Sequence, residues 1–347
     1  RQIRVAAMSL QREGSVPTVR VRVPAKVNLF LAVRGLRPDG MHDIVSVLHT
    51  VTLYDELTAS LESPLGSCYH PANRRLFDVV LEHDAGPQVP RDDSNLAMRA
   101  ARSLAGVVRG RTSSTTAGPD TQSLDVPVQE RSSELGLMTR LVLEKRIPVA
   151  GGMAGGSADA AGALLALNRL WECGLDHESL KGVAATLGAD VPFCVTGGTA
   201  LATGTGAAAA QVLCRASYHW VVGIDSQPLS TRSVYEAWDE VGVPSSAAPD
   251  QVLQALRSDD PEALAAALHN DLEVAAFHLR PSLREASTAL LDAGALRALV
   301  SGSGPTLVAL AGNARHARQL ATAVADCFDR VEVVRSPAGG PEVRGWR

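Results

Sequence analysis

Four glycines occur within six residues of one segment, Pro148-Val-Ala-Gly-Gly-Met-Ala-Gly-Gly-Ser-Ala158. Because glycine has no side chain, the backbone of such a segment can approach a ligand closely. Ser157 is a natural N-cap, and apolar residues then recur at helical spacing from Ala160 to Trp171. A glycine loop that leads into the positive end of a helix presents several N–H donors to an anion. This segment therefore predicts a phosphate site.

Two common phosphate-binding motifs do not match this glycine loop. No Gly-Lys-Ser/Thr follows it, which excludes a Walker A loop, and its glycine spacing differs from the dinucleotide motif G-x-G-x-x-G. The simpler alternative is that the glycines only let a helix pack closely on a strand. The density of glycines, the serine cap and the long apolar helix together favour the anion site.

Lys26 and Asn28 lie in a segment, residues 19–33, in which apolar residues share one parity and polar residues lie on the other. This period of two predicts a half-buried strand on which the two polar side chains share a face. If that face is buried, both side chains need a partner or a ligand. The alternative is a solvated strand face, which the neighbouring Arg20 and Arg22 support. The residues alone leave both interpretations open.

Asp190 lies in the segment Leu187-Gly-Ala-Asp-Val-Pro-Phe193, between a predicted helix and a predicted strand. Its carboxylate could act as a general base. An Asp in this context is more often a turn or capping residue, which is the competing interpretation. A second glycine segment, Leu299–Ala309, predicts a turn followed by a strand, and it fits a phosphate contact and a tight hairpin equally well.

Hydrophobic periodicity, together with Gly, Pro and capping residues, predicts the strands and helices that must position these side chains. Pro24 predicts a bulge, break or edge position in the strand 19–33. The patterns further predict a turn at 37–42, a strand at 44–53, a helix capped by Asp93 or Ser94, a strand at 137–147, a helix at 176–187 ended by Gly188 and a strand at 193–203. Beyond residue 205, strands alternate with Ala- and Leu-rich helices.

The 347 residues correspond to about two domains at ~150 residues each. We expect an N-terminal domain over 16–205 and a C-terminal domain over 206–347. Residues 1–15 lack a signal-peptide pattern and predict a disordered leader. Residues 109–136 are rich in Ser, Thr, Gly, Pro and Gln and predict a mobile surface insertion.

Charge and composition exclude several classes of protein. A net charge of −4 argues against a dedicated nucleic-acid binder, and an aromatic content of 4% argues against an RNA-binding platform. No apolar stretch reaches about 18 residues, which argues against a membrane-spanning helix. Five scattered cysteines without C-x-x-C spacing favour free thiols in a cytoplasmic protein and predict no metal site.

Taken together, these motifs resemble the GHMP small-molecule kinase superfamily over residues ~21 to ~310, outside the insertion. They are Pro24-Ala-Lys-Val-Asn-Leu-Phe-Leu31, Arg37-Pro-Asp-Gly-Met-His42, Ser94-Asn-Leu-Ala-Met-Arg-Ala-Ala101, the glycine loop, Leu187–Phe193 and Ser301-Gly-Ser-Gly304. The first, the second and the fifth look most like the branch that phosphorylates a cytidine-diphosphate-linked methylerythritol in non-mevalonate isoprenoid synthesis.

The resemblance implies a fold and a cofactor. The fold would be α+β, with an N-terminal ribosomal-protein-S5-domain-2-like domain, a C-terminal ferredoxin-like domain and the active site in the cleft between them. ATP would be the phosphate donor and would carry Mg²⁺ with it. The partners would be a small-molecule substrate but neither nucleic acid nor membrane, and the enzyme would be a monomer or a homodimer.

The resemblance also implies roles for individual residues. Lys26 and Asp190 would be catalytic, with Asp190 as the general base and Lys26 as its charge partner. Asn28, Met41, His42 and Tyr235 would bind the acceptor substrate, with His42 reading the edge of cytosine and Tyr235 forming an aromatic platform under it. The ATP-binding residues would be Pro148, Val149, Ala150, Gly151, Gly152, Met153, Ala154, Gly155, Gly156, Ser157, Ala158 and Asn95.

One position departs from the pattern that the resemblance implies. The family usually has a tyrosine before the histidine of the Asp-Gly-x-His turn, and this chain has Met41. A thioether can still lie on a ring face, so we expect cytidine recognition with weaker stacking there. The alternatives are another GHMP kinase that acts on homoserine, mevalonate or a sugar, and a non-catalytic nucleotide-binding protein of the same fold.

Overall fold

The computed structural model describes residues 17–62, 77–114 and 138–346. The leader predicted at 1–15 lies outside these ranges. Most of the insertion predicted at 109–136 lies outside them as well. Its first residues, 109–114, belong to a helix, which corrects the predicted start of the insertion. Within this helix Arg109 places its guanidinium over the ring of Phe77, 5.2 Å from the centroid.

The described elements alternate between strands and helices. The first part of the chain contains β1 (Thr18–Leu36), β2 (His42–Glu62), β3 (Val79–His83), α1 (Leu96–Ser114), β4 (Met138–Glu144), α2 (Gly155–Leu170), α3 (His177–Ala185), α4 (Val191–Thr196), β5 (Thr199–Gly204) and β6 (Ala208–Gln211). The rest contains β7 (Tyr218–Ile224), α5 (Thr231–Val241), α6 (Asp250–Ala255), α7 (Pro261–Ala267), β8 (His269–Asn270), α8 (Glu273–Leu279), α9 (Pro281–Asp292), β9 (Arg297–Val300), β10 (Leu307–Ala311), α10 (Ala314–Ala323), a 3-10 helix (Ala325–Cys327), β11 (Arg330–Ser336) and β12 (Glu342–Trp346).

Two sheets organise the described residues. In the first sheet, the strand order is β12-β1-β2-β4-β3, while β5 also pairs with β2, β6 pairs with β5, and β8 lies parallel to β1. The second sheet is antiparallel, with the order β11-β7-β10-β9. One mixed and one antiparallel sheet, both packed with helices, make this an α+β fold, as predicted.

Strand β1 carries the centre of the larger core. Its residues of one parity, from Val19 to Leu29, are buried, as the period of two predicts. The pairing of β1 with β2 shifts between Pro24 and Ala25, so the proline lies at a bulge, which confirms that prediction. Beyond the bulge the opposite face is buried as well, since Lys26 and Asn28 are buried and the Lys26 ammonium meets the carbonyl of Gly152.

Three local predictions were wrong. Residues 193–196 lie in helix α4, because Pro192 occupies its first turn and a helix, unlike a strand, tolerates proline there. Helix α1 begins at Leu96 and is capped by Asn95, whose side-chain oxygen accepts from the Ala97 N–H at 2.8 Å, not by Asp93 or Ser94. Ser157 lies inside the first turn of α2, whose N-cap is Ala154.

Sheet membership crosses the predicted domain boundary. Strands β6, β8 and β12 follow residue 205 but belong to the first sheet. A composition change marks a loop and does not report which strands pair. The division at 205/206 therefore stays a prediction. In the part of the chain that the structure describes, none of the helices is long and apolar enough to cross a membrane.

Candidate active site

The glycine loop turns sharply between β4 and α2. Ala150, Gly152 and Ala154 all have positive φ angles, of 50°, 75° and 57°. Ala154 caps α2 with its backbone alone, and no side chain in the described part of the chain caps the first N–H groups of the helix. These N–H groups and the positive end of a 16-residue helix are therefore free to meet an anion.

Gly152 and Gly156 of this loop are required for different reasons. A Cβ on Gly152 would lie 1.9 Å from the carbonyl oxygen of Ser301, so that position has no room for a side chain. A Cβ on Gly156 would meet only the Leu96 side chain, at an ordinary 3.4 Å. Gly156 is exposed in the first turn of α2, so its missing side chain leaves space for a ligand.

Lys26 joins strand β1 to the glycine loop. Its backbone N–H donates to the carbonyl of Met153 at 3.2 Å, and its ammonium donates to the carbonyl of Gly152 at 3.1 Å. The ammonium also donates to Asn28 Oδ1 at 2.7 Å. Lys26 and Asn28 are both buried, so the solvated strand face that competed for them is wrong.

Asn28 is itself held in place by a short chain of hydrogen bonds. Its amide donates to Ser46 Oγ at 2.7 Å, and the Ser46 hydroxyl donates to the carbonyl of Phe30 at 2.8 Å. This chain orients the amide so that its oxygen faces the Lys26 ammonium. A buried cation with fixed acceptors keeps one position, which suits a group that must face a reacting phosphate.

Asp190 lies at the N-cap position of α4, but its carboxylate makes no capping hydrogen bond. Oδ2 lies 3.8 Å from Lys26 Nζ, and about a third of the Asp190 side chain is exposed. The simple capping role that competed for this residue is therefore wrong. A carboxylate next to an ammonium, open to a cavity and without a capping hydrogen bond, can accept a proton from a substrate hydroxyl.

A hairpin loop from the far end of the chain closes the site. Strands β9 and β10 pair antiparallel, and the Ser301 hydroxyl donates to the Gly152 carbonyl at 3.2 Å. Asn270 donates its amide to the carbonyls of Val300 and Gly302, both at 2.8 Å. The glycine segment thus forms both a tight hairpin and a wall of the cavity. Apart from the residue type, nothing in the sequence indicates that Asn270 holds this loop.

These parts surround one cavity of about 890 Å³. Its lining brings together most of the predicted site residues, among them Lys26, Asn28, Met41, His42, Asp190, Tyr235, Pro148, Ala150, Gly151, Gly152, Ala154, Gly155, Gly156 and Ser157. Val149, Met153 and Ala158 are not among its lining residues. Met153 and Ala158 are fully buried, which gives them a packing role beneath the loop.

Asn95 also lies outside the lining of this cavity. Its Oδ1 caps helix α1 at Ala97 N, and its amide donates to the carbonyl of Pro90 at 2.8 Å. Both ends of the side chain therefore serve the local fold. A contact between Asn95 and ATP stays a prediction.

In another part of the cavity lining, side chains of helix α5 contact His42. Tyr235 stacks on the imidazole with ring centroids 4.7 Å apart. His42 Nε2 lies 2.8 Å from Asp239 Oδ1. Burial, with a smaller contribution from the charge of Asp190, raises the pKa of Tyr235 to about 12, so its hydroxyl stays neutral. The structure thus brings Tyr235 and His42 together, with His42 on the Tyr235 ring.

A buried charge cluster under the glycine loop was missed in the sequence. Lys145 forms ion pairs with Asp55 and with Asp159, the latter at 2.8 Å. Asp55 also accepts from the N–H groups of Arg146 and Ile147 at 2.6 and 2.8 Å, which fixes the chain where it enters the loop. Residues 55, 145 and 159 are far apart in the sequence, so local sequence patterns cannot indicate that they form a cluster.

Metal-ligating side chains do not gather in this site. Within residues 17–62, 77–114 and 138–346, no group of three or more His, Cys, Asp and Glu is placed to hold a metal ion. Cys194, one turn after Asp190, is held as a thiol because burial, aided by the Asp190 charge, raises its pKa.

The comparisons with known proteins agree with the geometry. Residues 127–198 match the family model for the GHMP kinases N terminal domain, and residues 252–330 match the one for the GHMP kinases C terminal domain. Membership of this family implies the use of ATP. The matched regions contain the glycine loop, Asp190, Asn270 and the 301–304 turn, although Lys26 lies before them.

Curated relatives extend the match to nearly the whole chain. The 4-diphosphocytidyl-2-C-methyl-D-erythritol kinase of Streptomyces coelicolor is 44% identical over 93% of this chain and 98% of its own. The enzyme of the same name from Salinispora tropica is 41% identical over 95% of this chain and 96% of its own. A crystal structure of 4-(cytidine 5'-diphospho)-2C-methyl-D-erythritol kinase is 30% identical, has a TM-score of 0.66 and aligns over 92% of this chain and all of its own. The chain therefore belongs to the 4-diphosphocytidyl-2-C-methyl-D-erythritol kinase family of the GHMP kinases.

Proposed function

We propose that this enzyme transfers the γ-phosphoryl group of ATP to the 2-hydroxyl of 4-diphosphocytidyl-2-C-methyl-D-erythritol. The observation that carries the proposal is the placement of Lys26. One ammonium touches the phosphate-loop carbonyl of Gly152 and lies 3.8 Å from the carboxylate of Asp190. The donor and acceptor parts of the cavity therefore meet at this residue.

The glycine loop takes the triphosphate of the nucleotide. Gly156 leaves space in the first turn of α2, and the uncapped N–H groups there donate to phosphate oxygens. Phosphoryl transfer requires mainly positioning and neutralisation of charge, since the protein has little covalent work to do. Mg²⁺ arrives as part of the MgATP substrate, bound by phosphate and water.

Asp190 serves as the general base. It accepts the proton of the substrate hydroxyl while that oxygen forms a bond to the γ-phosphorus and the bond to the ADP oxygen breaks. Lys26 keeps the carboxylate in place and neutralises negative charge on the phosphoryl group in the transition state. Such a base contributes about 10²–10⁴ in rate.

The acceptor occupies the part of the cavity between Asn28 and helix α5. Asn28 orients the hydroxyl end of the substrate, and His42 reads the edge of the cytosine ring. Met41, whose side chain is exposed at the cavity rim, covers one face of the base. Tyr235 supports the pyrimidine end through its stack with His42.

The proposal extends to the setting of the enzyme. It acts in the cytoplasm as a monomer or a homodimer, and it binds no nucleic acid. Its net charge of −4 supports the last point, because phosphate backbones attract proteins with basic surfaces.

A coupled assay for ADP release tests the proposal. The acceptors are 4-diphosphocytidyl-2-C-methyl-D-erythritol, the same polyol without its cytidine diphosphate, mevalonate and homoserine. We expect turnover with the first acceptor alone, and phosphorus NMR of the product should show one new phosphomonoester. Turnover with mevalonate or homoserine at a higher kcat/KM would favour another GHMP activity, and no turnover with any acceptor would favour a non-catalytic nucleotide binder.

A further inference from the structure

Three residues on one face of α5 hold the imidazole of His42. Tyr235 stacks on the ring, Trp238 meets it edge-on with centroids 5.7 Å apart, and Asp239 contacts Nε2 at 2.8 Å. These positions are three and four residues apart, so they share one side of the helix. His42 begins β2, and only 10% of its side chain is exposed. The ring is therefore fixed by the helix on the opposite side of the cleft.

The contact with Asp239 decides which ring nitrogen carries the proton. A carboxylate accepts hydrogen bonds, so Nε2 must be the donor in this pair. In a neutral imidazole the other nitrogen, Nδ1, is then an acceptor. Across the described ranges, Asp239 is the only hydrogen-bond partner of the His42 ring. Nδ1 remains for a ligand in the cavity that His42 lines.

An acceptor at this place distinguishes two kinds of pyrimidine. Cytosine carries an exocyclic amino group, a donor, where uracil carries a carbonyl oxygen, an acceptor. Nδ1 pairs with the amino group. Opposite the carbonyl, two acceptors face each other, and each loses its bond to water without gaining a partner. The tautomer of His42 thus determines which base the site accepts.

We propose that Asp239 is a positioning residue that determines specificity. By holding the proton on Nε2, it presents Nδ1 of His42 as an acceptor and selects an aminopyrimidine substrate over an oxopyrimidine one. The inference deepens the proposed function and rests on it, since it concerns the same acceptor site. Asp239 acts through His42 and does not touch the reacting atoms.

The kinetic test compares kcat/KM for the cytidine-diphosphate acceptor and its uridine-diphosphate analogue. In Asp239→Ala, we expect the cytidine-to-uridine ratio to fall at least about tenfold, while kcat at saturating cytidine substrate changes less than about threefold. Glu240→Ala is the matched control, because this exposed neighbour on α5 does not line the cavity. Its ratio should equal that of the wild type.

Two further measurements separate positioning from a general loss of structure. In a His42→Ala background, Asp239→Ala should leave the ratio unchanged, because the residue through which Asp239 acts is missing. Nitrogen NMR of histidine-labelled protein should show the proton on Nε2 of His42 in the wild type, and a mixture of tautomers in Asp239→Ala. The NMR result does not depend on turnover.

The outcomes distinguish this inference from the proposed function. A wild-type enzyme that phosphorylates neither pyrimidine acceptor would contradict the proposed function, whatever the NMR shows. A wild-type enzyme that uses the cytidine substrate, together with an unchanged ratio in Asp239→Ala, would overturn only the role of Asp239. A wild-type proton on Nδ1 would overturn it as well.

Discussion

Lys26 and Asp190 are far apart in sequence, yet their charged atoms lie 3.8 Å apart at the centre of the cavity. Lys26 is buried, whereas about a third of the Asp190 side chain is exposed. The Lys26 ammonium is therefore a fixed part of the cavity wall, whereas a substrate can reach the Asp190 carboxylate. This asymmetry makes Asp190 the residue to test for proton transfer.

Replacing Asp190 by Asn should abolish most turnover. The amide keeps the size of the side chain but cannot accept the proton of an attacking hydroxyl. We expect kcat to fall by about 10²–10⁴ while the affinity for ATP, measured by calorimetry, stays within about threefold. A wild-type kcat in this variant would remove Asp190 from the role of base.

Gly156→Val should weaken ATP binding without unfolding the protein. The new side chain would occupy space that the structure leaves open above the first turn of α2. We expect the Kd for ATP to rise at least about tenfold, with little change in Tm. Gly182→Val is the matched control, since Gly182 lies on α3 with no atom near its missing Cβ. Equal nucleotide affinity in the two variants would contradict the phosphate-loop assignment.

Met41→Tyr should improve the acceptor KM. The Met41 side chain is 55% exposed at the rim of the cavity, so a larger ring fits there without repacking the core. An aromatic pair contributes about 0.5–1.5 kcal/mol, which corresponds to a KM lower by roughly twofold to tenfold. Val243→Tyr, at an exposed position away from the cavity, should change nothing. An unchanged KM in Met41→Tyr would show that residue 41 does not touch the base.

The buried cluster beneath the loop predicts an unequal pair of mutants. Lys145→Met leaves Asp55 and Asp159 facing each other without a cation, so we expect a loss of about 3–5 kcal/mol in urea unfolding. Asp159→Asn should cost far less. Burial is the main reason that the pKa of Asp159 lies well above its usual value, and its Oδ1 has no hydrogen-bond partner among the described residues. Equal losses would contradict this account of the cluster.

His49 should make the protein sensitive to acid. It is fully buried in β2, where burial lowers its pKa to about 3, and its Nδ1 lies 2.7 Å from Thr199 Oγ1. Since the unfolded chain binds a proton near pH 6.5 and the folded protein does not, stability is lost as pH falls from about 6.5 toward 3. The full loss is on the order of 5 kcal/mol. Urea titrations at several pH values measure it, and His49→Gln should remove this part of the slope.

Local patterns predicted the parts of the site that are continuous in sequence. The alternation around Lys26, the glycine density at 148–158 and the Asp190 loop each report a short segment, and the structure brings all three to one cavity. Periodicity could not decide whether the Lys26 face is buried, because that depends on the glycine loop, which lies more than a hundred residues later and whose Gly152 carbonyl accepts from the Lys26 ammonium. Burial on both faces is a tertiary property.

The failed predictions have a common physical origin. The strand predicted at 193–203 begins as helix α4 because apolar composition does not separate a short buried helix from a strand. Ser157 has the chemistry of an N-cap, but the loop reaches α2 through a left-handed Ala154, which places the serine inside the helix. Asp239 and Asn270 act on residues far away in the chain, so no local pattern could assign them.

The pairing of β8 with β1 limits how the cleft can open. Asp271 N–H donates to the carbonyl of Leu31 at 2.9 Å, and the Val33 N–H donates to the Asp271 carboxylate at 2.8 Å. A hinge rotation that separates β8 from β1 would break these bonds on the strand that carries Lys26. We therefore expect substrate to enter and ADP to leave through motion of loops and side chains at the rim, such as Met41, with these strand contacts intact.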